Sequence, residues 1–338
     1  MQTILVTGGA GFIGANFVQF ILEKRKDLRI INLDALTYSG NVANLANVMD
    51  HDRHEFVLGS IANAELVAYL LTAHKVAGVI NFAAESHVDR SIEDPGVFVE
   101  TNVRGTQVLL QEAMNAGVGR YLQISTDEVY GALGESGKFR EDTPVSPNSP
   151  YSASKAGADH LVQAAFHTYG FDTLITRCSN NYGPYQFPEK MIPLMINNAR
   201  QDKPLPVYGD GLYVRDWIHV EDHCEAILTV YEKGRPGHVY NIGADSEKTN
   251  LEVIKTILQV LDKPESLIRF VKDRPGHDRR YAIDSAKITS ELGWRPQQNF
   301  AEGIRSTIEW YLSNDSWLQD VLTGEYQEYY RQMYADRS

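Results

Sequence analysis

Along the first half of the chain, short apolar runs alternate with stretches whose apolar residues recur every three or four positions. The runs TILVTG, RIINLD, HEFVLGS, GVINFAAES and RYLQISTDEVYG have the length and β-branched content of buried strands. Between them the periodicity predicts helices, the first ending near Lys24, with a long loop after RIINLD. Strands separated by helices imply a parallel sheet covered on both faces. Beyond Tyr151 the pattern predicts a helix to about Tyr169, then a strand through FDTLITRCSNNYGP that leads into a loop.

From about Pro184 the character changes, with scattered Pro and Gly and the irregular, polar, aromatic stretches NYGPYQFPEK and DRPGHDRRYAID, which suit a ligand-covering region. Two segments, VRDWIHVEDHCEAILTVYE and GHVYNIG, read as a helix and strand that return to the first sheet. The chain therefore divides into residues 1–184, rejoined by about 214–244, and a smaller unit of 185–213 and 245–338. Trp310 to Tyr334 read as an amphipathic helix with a tail.

A length of 338 residues leaves room for a sizeable core. The net charge of -12 argues against a nucleic-acid binder, because attraction to phosphate backbones needs a basic surface. A phosphate-bearing ligand must then be gripped locally. Cys178 and Cys224 are the two cysteines, too few for a disulfide scaffold or a Cys-rich zinc site, and they predict small buried apolar residues in a reducing cytoplasm. The sequence opens into a strand pattern without a basic leader, and no apolar run approaches the roughly 18 residues of a membrane span, so neither a targeting segment nor a membrane partner is expected.

Gly8, Gly11 and Gly14 fall at the turn between the first strand and the first helix. There, missing side chains let backbone N–H groups approach a pyrophosphate at a helix N-terminus. Phe12 and Ile13 lie inside the same motif. About 20 residues on, Asp34 ends RIINLD, where a carboxylate accepts hydrogen bonds from ribose hydroxyls and repels an extra phosphate, which favours NAD over NADP. A turn or helix cap is the plain alternative for that Asp. Ala35, Leu36 and Thr37 follow it, while Ser60, Ile61, Ala83, Ala84, Glu85 and Ser86 sit at further strand ends, where such ligands bind in parallel sheets.

Tyr151 and Lys155 form YxxxK on one helical face. An ammonium nearby, together with the positive ring of a bound nicotinamide, favours phenolate and makes the Tyr a base closer to neutral pH. Upstream, Ser125, Thr126, Asp127 and Glu128 end a predicted strand in a row. Oxidation of an alcohol needs only the hydroxyl residue and the Tyr–Lys pair. Two further carboxylates allow one to take a carbon-bound proton while the other donates to a leaving hydroxide. Caps or loop decoration are the bland alternative for both acids.

The stretches GGAGFIG, NFAAESHVDRSI, STDEVYG, YSASK, RCSNNYGPYQFPEKMIP, VYGDGLYVRDWIHVEDH and DRPGHDRRYAID together resemble the dTDP-glucose 4,6-dehydratase family of extended short-chain dehydrogenases/reductases, from Thr3 to about Trp310. Sugar 4-epimerases lack the paired acids, and GDP-mannose dehydratases typically read Thr-Ser-Glu where this chain reads Thr-Asp-Glu at 126 to 128. The fold implied is α/β: a Rossmann-type doubly wound parallel sheet that binds NAD, with a smaller, irregular C-terminal α/β domain for the sugar nucleotide. The activity implied is conversion of dTDP-glucose to its 4-keto-6-deoxy form, with a homodimer built through the helices that follow Thr101 and carry Tyr151.

In that resemblance Tyr151 takes the C4 hydroxyl proton, Glu128 the C5 proton, and Asp127 protonates the departing C6 hydroxyl. Thr126 hydrogen-bonds the C4 oxygen. His87 and Asn180 face the substrate, and Thr101, Ser125 and Asn181 the cofactor. Met191, Pro206 and Val207, together with Asn250 and the stretch Asp273, Arg274, Pro275, Gly276 and His277, belong to the nucleotide pocket.

The residues themselves argue for fixed cations against the diphosphate, with Lys190, Arg215 and Arg274 in the irregular segments. Arg215 beside Asp216 also reads as a surface ion pair, and Tyr208 as either a base stack or plain packing. His219 and His223 around Glu221 mimic a metal pair on one helical turn, but no third ligand is suggested and hydride chemistry needs no metal. Two other readings stand beside the first: a UDP-glucose dehydratase or related sugar-nucleotide enzyme, and an NAD-binding regulator without catalysis. Regulators of this scaffold tend to lose the Tyr–Lys pair, which is present here.

Overall fold

Alternating residues of the first strand point to opposite sides of a sheet: Ile4 and Val6 join one buried cluster, and Leu5 joins another. The computed structural model describes residues 1–273 and 275–322. Its strands in chain order are β1 (Gln2–Thr7), β2 (Leu28–Asp34), β3 (His54–Leu58), β4 (Val76–Asn81), β5 (Arg120–Thr126) and β6 (Thr173–Cys178). The later ones are β7 (Asn180–Tyr182), β8 (Leu205–Tyr208), β9 (Val214–His219), β10 (Val239–Ile242), β11 (Glu247–Thr249) and β12 (Ile268–Val271). Seven of them form one parallel sheet in the order β10-β6-β5-β4-β1-β2-β3. The order reverses between β1 and β4, which opens a crevice at their carboxyl ends, the place where open α/β sheets bind ligands.

Helices α1 (Phe12–Lys24), α2 (Ala64–Ala73), α3 (Val88–Glu93), α4 (Pro95–Phe98), α5 (Thr106–Asn115) and α6 (Pro150–Tyr169) belong to the sheet unit. A wider π turn, Val99–Gly105, joins α4 to α5. Farther along come α7 (Met191–Arg200), α8 (Val220–Lys233), α9 (Asn250–Val260), α10 (Ala286–Leu292), α11 (Phe300–Ser313) and α12 (Asp315–Val321). One face of the sheet packs against α1, α8 and α10 through residues such as Phe17, Ile21, Ile227 and Ile288. The other packs against α2, α5 and α6 through Leu70, Leu109 and Val162.

A third cluster, with Ile192, Leu205, Trp217, Ile254 and Ile304 in it, is the core of the smaller lobe. There β9 pairs with β7 and β11, and β8 with β12. Residues 214–219 thus enter this small sheet rather than the large one, and the return to the first sheet is made by α8 and β10. The expected helix over VRDWIHVEDHCEAILTVYE is therefore corrected in its first six residues, which form β9, with the helix starting only at Val220, because pairing with β7 and β11 sets their conformation.

The helix expected from Trp310 onward begins earlier, at Phe300, and breaks at Asn314, which stands before α12. The remainder of that expectation, from residue 323, lies outside the described residues. Among those described, no helix is long and apolar enough to cross a membrane.

Candidate active site

Helix α1 begins at Gly11 without a side-chain cap and without an acidic residue in its first turn. Its first N–H groups are left open toward the crevice. Gly8 adopts φ +69°, and a Cβ there would lie 2.7 Å from Ala83 Cα; one on Gly14 would lie 2.8 Å from Gly9 Cα. Only glycine lets the turn, the helix and β4 come this close. Asp34 caps the cradle from β2, accepting from Ala10 N and Leu36 N at 2.8 Å each. These features fit a dinucleotide: uncapped N–H donors with no competing anion, and a carboxylate at the end of the next strand.

A cavity of about 320 Å³ opens over this cradle. Its walls include Gly8, Gly11, Phe12, Ile13 and Gly14 from the turn; Asp34, Ala35 and Thr37 after β2; and Ser60 and Ile61 after β3. Ala83, Ala84, Glu85, Ser86, Thr101, Ser125 and Asn181 complete the cofactor candidates that face it, beside Thr126, Asp127, Glu128, Tyr151 and Lys155. Leu36 is the exception. With its N–H held by Asp34, its side chain turns away and packs on the core beneath α1.

A second cavity of about 190 Å³ adjoins the first, and Ser86, Glu128, Asn180 and Lys190 line both. His87, Met191, Pro206, Val207, Tyr208, Arg215, Asn250 and His277 line it as well. Asp273 stands behind His277, whose Nδ1 lies 2.7 Å from Asp273 Oδ1, while Pro275 and Gly276 are exposed and outside both linings. Arg274 lies outside the described residues.

Arg215 and Asp216 are both buried, so a surface ion pair is excluded. The Asp216 carboxylate accepts from Ala244 N and Ser246 N, and the Arg215 guanidinium lies over the Tyr281 ring and donates to Asp278 O at 2.9 Å. Tyr208 meets His277 edge-on at 6.1 Å.

At the junction of the cavities stands the reactive group. Helix α6 starts with a Ser149–Ser152 capping box and Pro150 in its first turn, which fixes Tyr151 at the entrance of the helix and Lys155 one turn on. Lys155 Nζ donates to Ile124 O at 2.7 Å, and burial lowers the affinity of the amine for its proton. Tyr151 is 8% exposed, and burial together with Glu128 and Cys178 raises its phenol well above the ordinary range, with a hydrogen bond from Thr126 opposing. Burial first, then these neighbours, bias Tyr151 toward its protonated form, while the Lys155 ammonium donates to a carbonyl. The expected phenolate requires the ring charge of the bound cofactor as well.

Thr126 closes β5 and caps the 3-10 turn Asp127–Tyr130, accepting from Glu128 N at 3.2 Å. Asp127 is 2% exposed, and its Oδ2 has no hydrogen-bond partner. Burial first, then the neighbouring Glu128 and Asp216, raise its carboxyl well above the usual range, with Arg215 opposing. An acid so placed is biased toward its protonated form and can give that proton away.

His219 and His223 do not converge. His219 caps α8, and His223 Nδ1 lies 2.9 Å from Asn181 Oδ1; burial pushes them down to about 4 and about 3. Among the described residues no three His, Cys, Asp or Glu side chains gather as a metal site.

Sequence reasoning missed Cys178, on the cavity wall with its thiol pushed up to about 12 by burial and Asp127, and Glu189 in the second cavity. It also missed Leu194, Met195 and Ile254. The last three carried a signal, because they stand three or four residues from Met191 and Asn250 on the same helices.

The GDP-mannose 4,6 dehydratase family model matches residues 5–307. A dTDP-glucose 4,6-dehydratase of Xanthomonas campestris pv. campestris (strain B100) is 56% identical, covering 96% of this chain and 97% of its own. The crystal structure of a Bacillus anthracis dTDP-glucose 4,6-dehydratase in complex with NAD superposes with a TM-score of 0.90 at 50% identity, over 95% of this chain and 100% of that one. A Streptomyces venezuelae dTDP-glucose 4,6-dehydratase, solved with NAD and a dTDP ligand, gives 0.92 at 51% identity, over 95% and 100%.

Proposed function

The chain belongs to the GDP-mannose 4,6-dehydratase family, and from that premise we propose that it converts dTDP-glucose to dTDP-4-keto-6-deoxyglucose and water with NAD as cofactor. One observation carries this reading: two adjacent carboxyl groups stand beside Tyr151, Glu128 lining both cavities and Asp127 the first, the latter buried and biased toward its protonated form. Oxidation or epimerisation alone uses neither.

Bound in the glycine cradle, NAD accepts the C4 hydrogen of the sugar as hydride and later returns it to C6. The first cavity is the proposed cofactor site, held by the α1 N-terminus, Asp34 and the strand-end residues. Tyr151 takes the C4 hydroxyl proton, with Thr126 donating to the oxygen that becomes the ketone. The ketone acidifies the C5 proton, which Glu128 removes. Asp127 gives its proton to the C6 hydroxyl, which leaves as water; hydride then adds at C6, and the Glu128 proton goes back to C5. At that point Glu128 is restored, Tyr151 holds the C4 hydroxyl proton and Asp127 lacks the one that left in water, so passage of one proton from Tyr151 to Asp127, directly or through solvent, closes the cycle.

The nucleotide is assigned to the second cavity, with Arg215, Lys190 and His277 toward the diphosphate and Tyr208 toward the base. A homodimer belongs to the same reading, and the exposure of Ile92, Val97 and Val99 beside the π turn before α5 supports an apolar face there. Two buried free cysteines fit a reducing compartment such as the cytoplasm.

The test is incubation of the purified protein with dTDP-glucose and, separately, UDP-glucose, following the alkali-induced absorbance of the 4-keto-6-deoxy product. Product from dTDP-glucose in clear preference supports the reading. Equal or faster product from UDP-glucose overturns the base assignment, and no product from either overturns the reaction.

A further inference from the structure

Three segments far apart in sequence meet beside the seam between the cavities. The loop after β2 contributes Tyr38, helix α3 contributes Arg90, and the stretch before α7 contributes Phe187 and Glu189. Arg90 lies over the Tyr38 ring, with Cζ 4.2 Å from its centroid, and Nε donates to Glu189 Oε2 at 3.1 Å. Tyr38 meets Phe187 edge-on at 5.7 Å, and its hydroxyl lies 3.4 Å from Ser86 Oγ. Lys190 Nζ donates to Ser86 O at 3.0 Å.

The neighbours of this bridge line the cofactor cavity from two sides: Thr37, Ser39 and Gly40 on one, Phe187 and Lys190 on the other. The Glu189 side chain is only 3% exposed, and burial raises its carboxyl, with Lys190 and Arg90 opposing. A carboxylate buried this deeply depends on its charged neighbours, and a guanidinium sandwiched between it and an aromatic face gains two partly desolvated contacts at once. None of the proton transfers above uses Arg90, Tyr38 or Glu189.

Resting on the assignment of NAD to the first cavity, we propose that Arg90 is a positioning residue that straps the loop after β2 to the segment before α7, and so slows release of NAD. The chemistry explains the benefit. A cofactor that is reduced and reoxidised within one turnover must stay in place until the hydride returns, and opening of a loop sets the rate at which such a ligand escapes.

The experiment compares the wild type with Arg90→Met, Arg90→Lys and Tyr38→Leu. Each is loaded with NAD and desalted; bound NAD is read by ultraviolet absorbance, its rate of loss by competition, and folding by circular dichroism. Arg90→Met is expected to lose NAD on the order of tenfold faster, and to leak NADH into solution during turnover, with Arg90→Lys restoring much of the retention. A folded Arg90→Met that keeps NAD as long as the wild type overturns the strap. Should Arg90→Met fail to fold, Tyr38→Leu decides by the same two results. A wild-type chain that takes up no NAD overturns the cofactor assignment itself, which is a different outcome from binding with an unchanged rate of loss.

Discussion

Lys155 Nζ and the carbonyl oxygen of Ile124 lie 2.7 Å apart, a bond that fastens the fifth residue of the YxxxK motif to the strand whose end carries Thr126. The contact fixes the helix that bears Tyr151 against the strand that bears the acids. It also spends one of the three ammonium hydrogens away from the reacting centre.

Tyr151→Phe is expected to remove the first step, so that substrate added to the NAD-loaded protein yields no bound NADH. In the wild type, burial and Glu128 raise the Tyr151 phenol, so the base form gains population as pH rises. Stopped-flow absorbance of bound NADH across a pH series checks both statements; a Phe variant that forms NADH at the wild-type rate removes Tyr151 from the mechanism.

Glu128→Gln is expected to keep oxidation but block removal of the C5 proton. Enzyme-bound NADH should then accumulate to near one equivalent while product formation falls by roughly a hundredfold or more. Normal turnover by this variant would show that another group takes that proton.

Burial, Glu128 and Asp216 all disfavour the charge on Asp127 and bias it toward its protonated form. In the proposed elimination its acid form is the active one, so activity is expected to be complete on the low-pH side of the raised carboxyl and to fade as pH rises through it. Asp127→Asn should slow product formation by about two to four orders of magnitude and flatten that limb of the profile. An unchanged limb in the variant would assign it to a different group.

His219, which caps α8, and His223 within it predict an acid-sensitive fold. Their folded-state values lie below the roughly 6.5 of a free imidazole, at about 4 for His219 and about 3 for His223. Their contribution to stability is therefore fully present above the free value and is lost as pH falls toward those two. Within that window each costs roughly 1.4 kcal/mol per pH unit. Urea midpoints measured across the window should show a shallower slope in His223→Gln, and a slope equal to the wild type would contradict the assignment.

The glycine cradle, the YxxxK helix and the three residues from Thr126 were legible in the sequence, because each is a local pattern on one element. Val214–His219 read as the start of a helix but forms a strand, since its pairing with β7 and β11 is decided by the smaller lobe rather than by local periodicity. Leu36 read as a cofactor contact because it follows Asp34, yet its N–H donates to the Asp34 carboxylate and its side chain packs on the core. The Asn314 break was signalled by Asn-Asp-Ser, a capping sequence inside an otherwise apolar period. The Arg90–Tyr38–Glu189 bridge left no such trace, because it joins residues up to 151 positions apart: Tyr38 and Glu189.

The central claim is that one hydrogen leaves C4 and the same hydrogen arrives at C6. Turnover of dTDP-glucose deuterated at C4, read by mass spectrometry and proton NMR of the product, tests it directly. The account predicts deuterium in the C6 methyl group with none lost to water. A product whose methyl group carries only solvent or unlabelled hydrogen would contradict it.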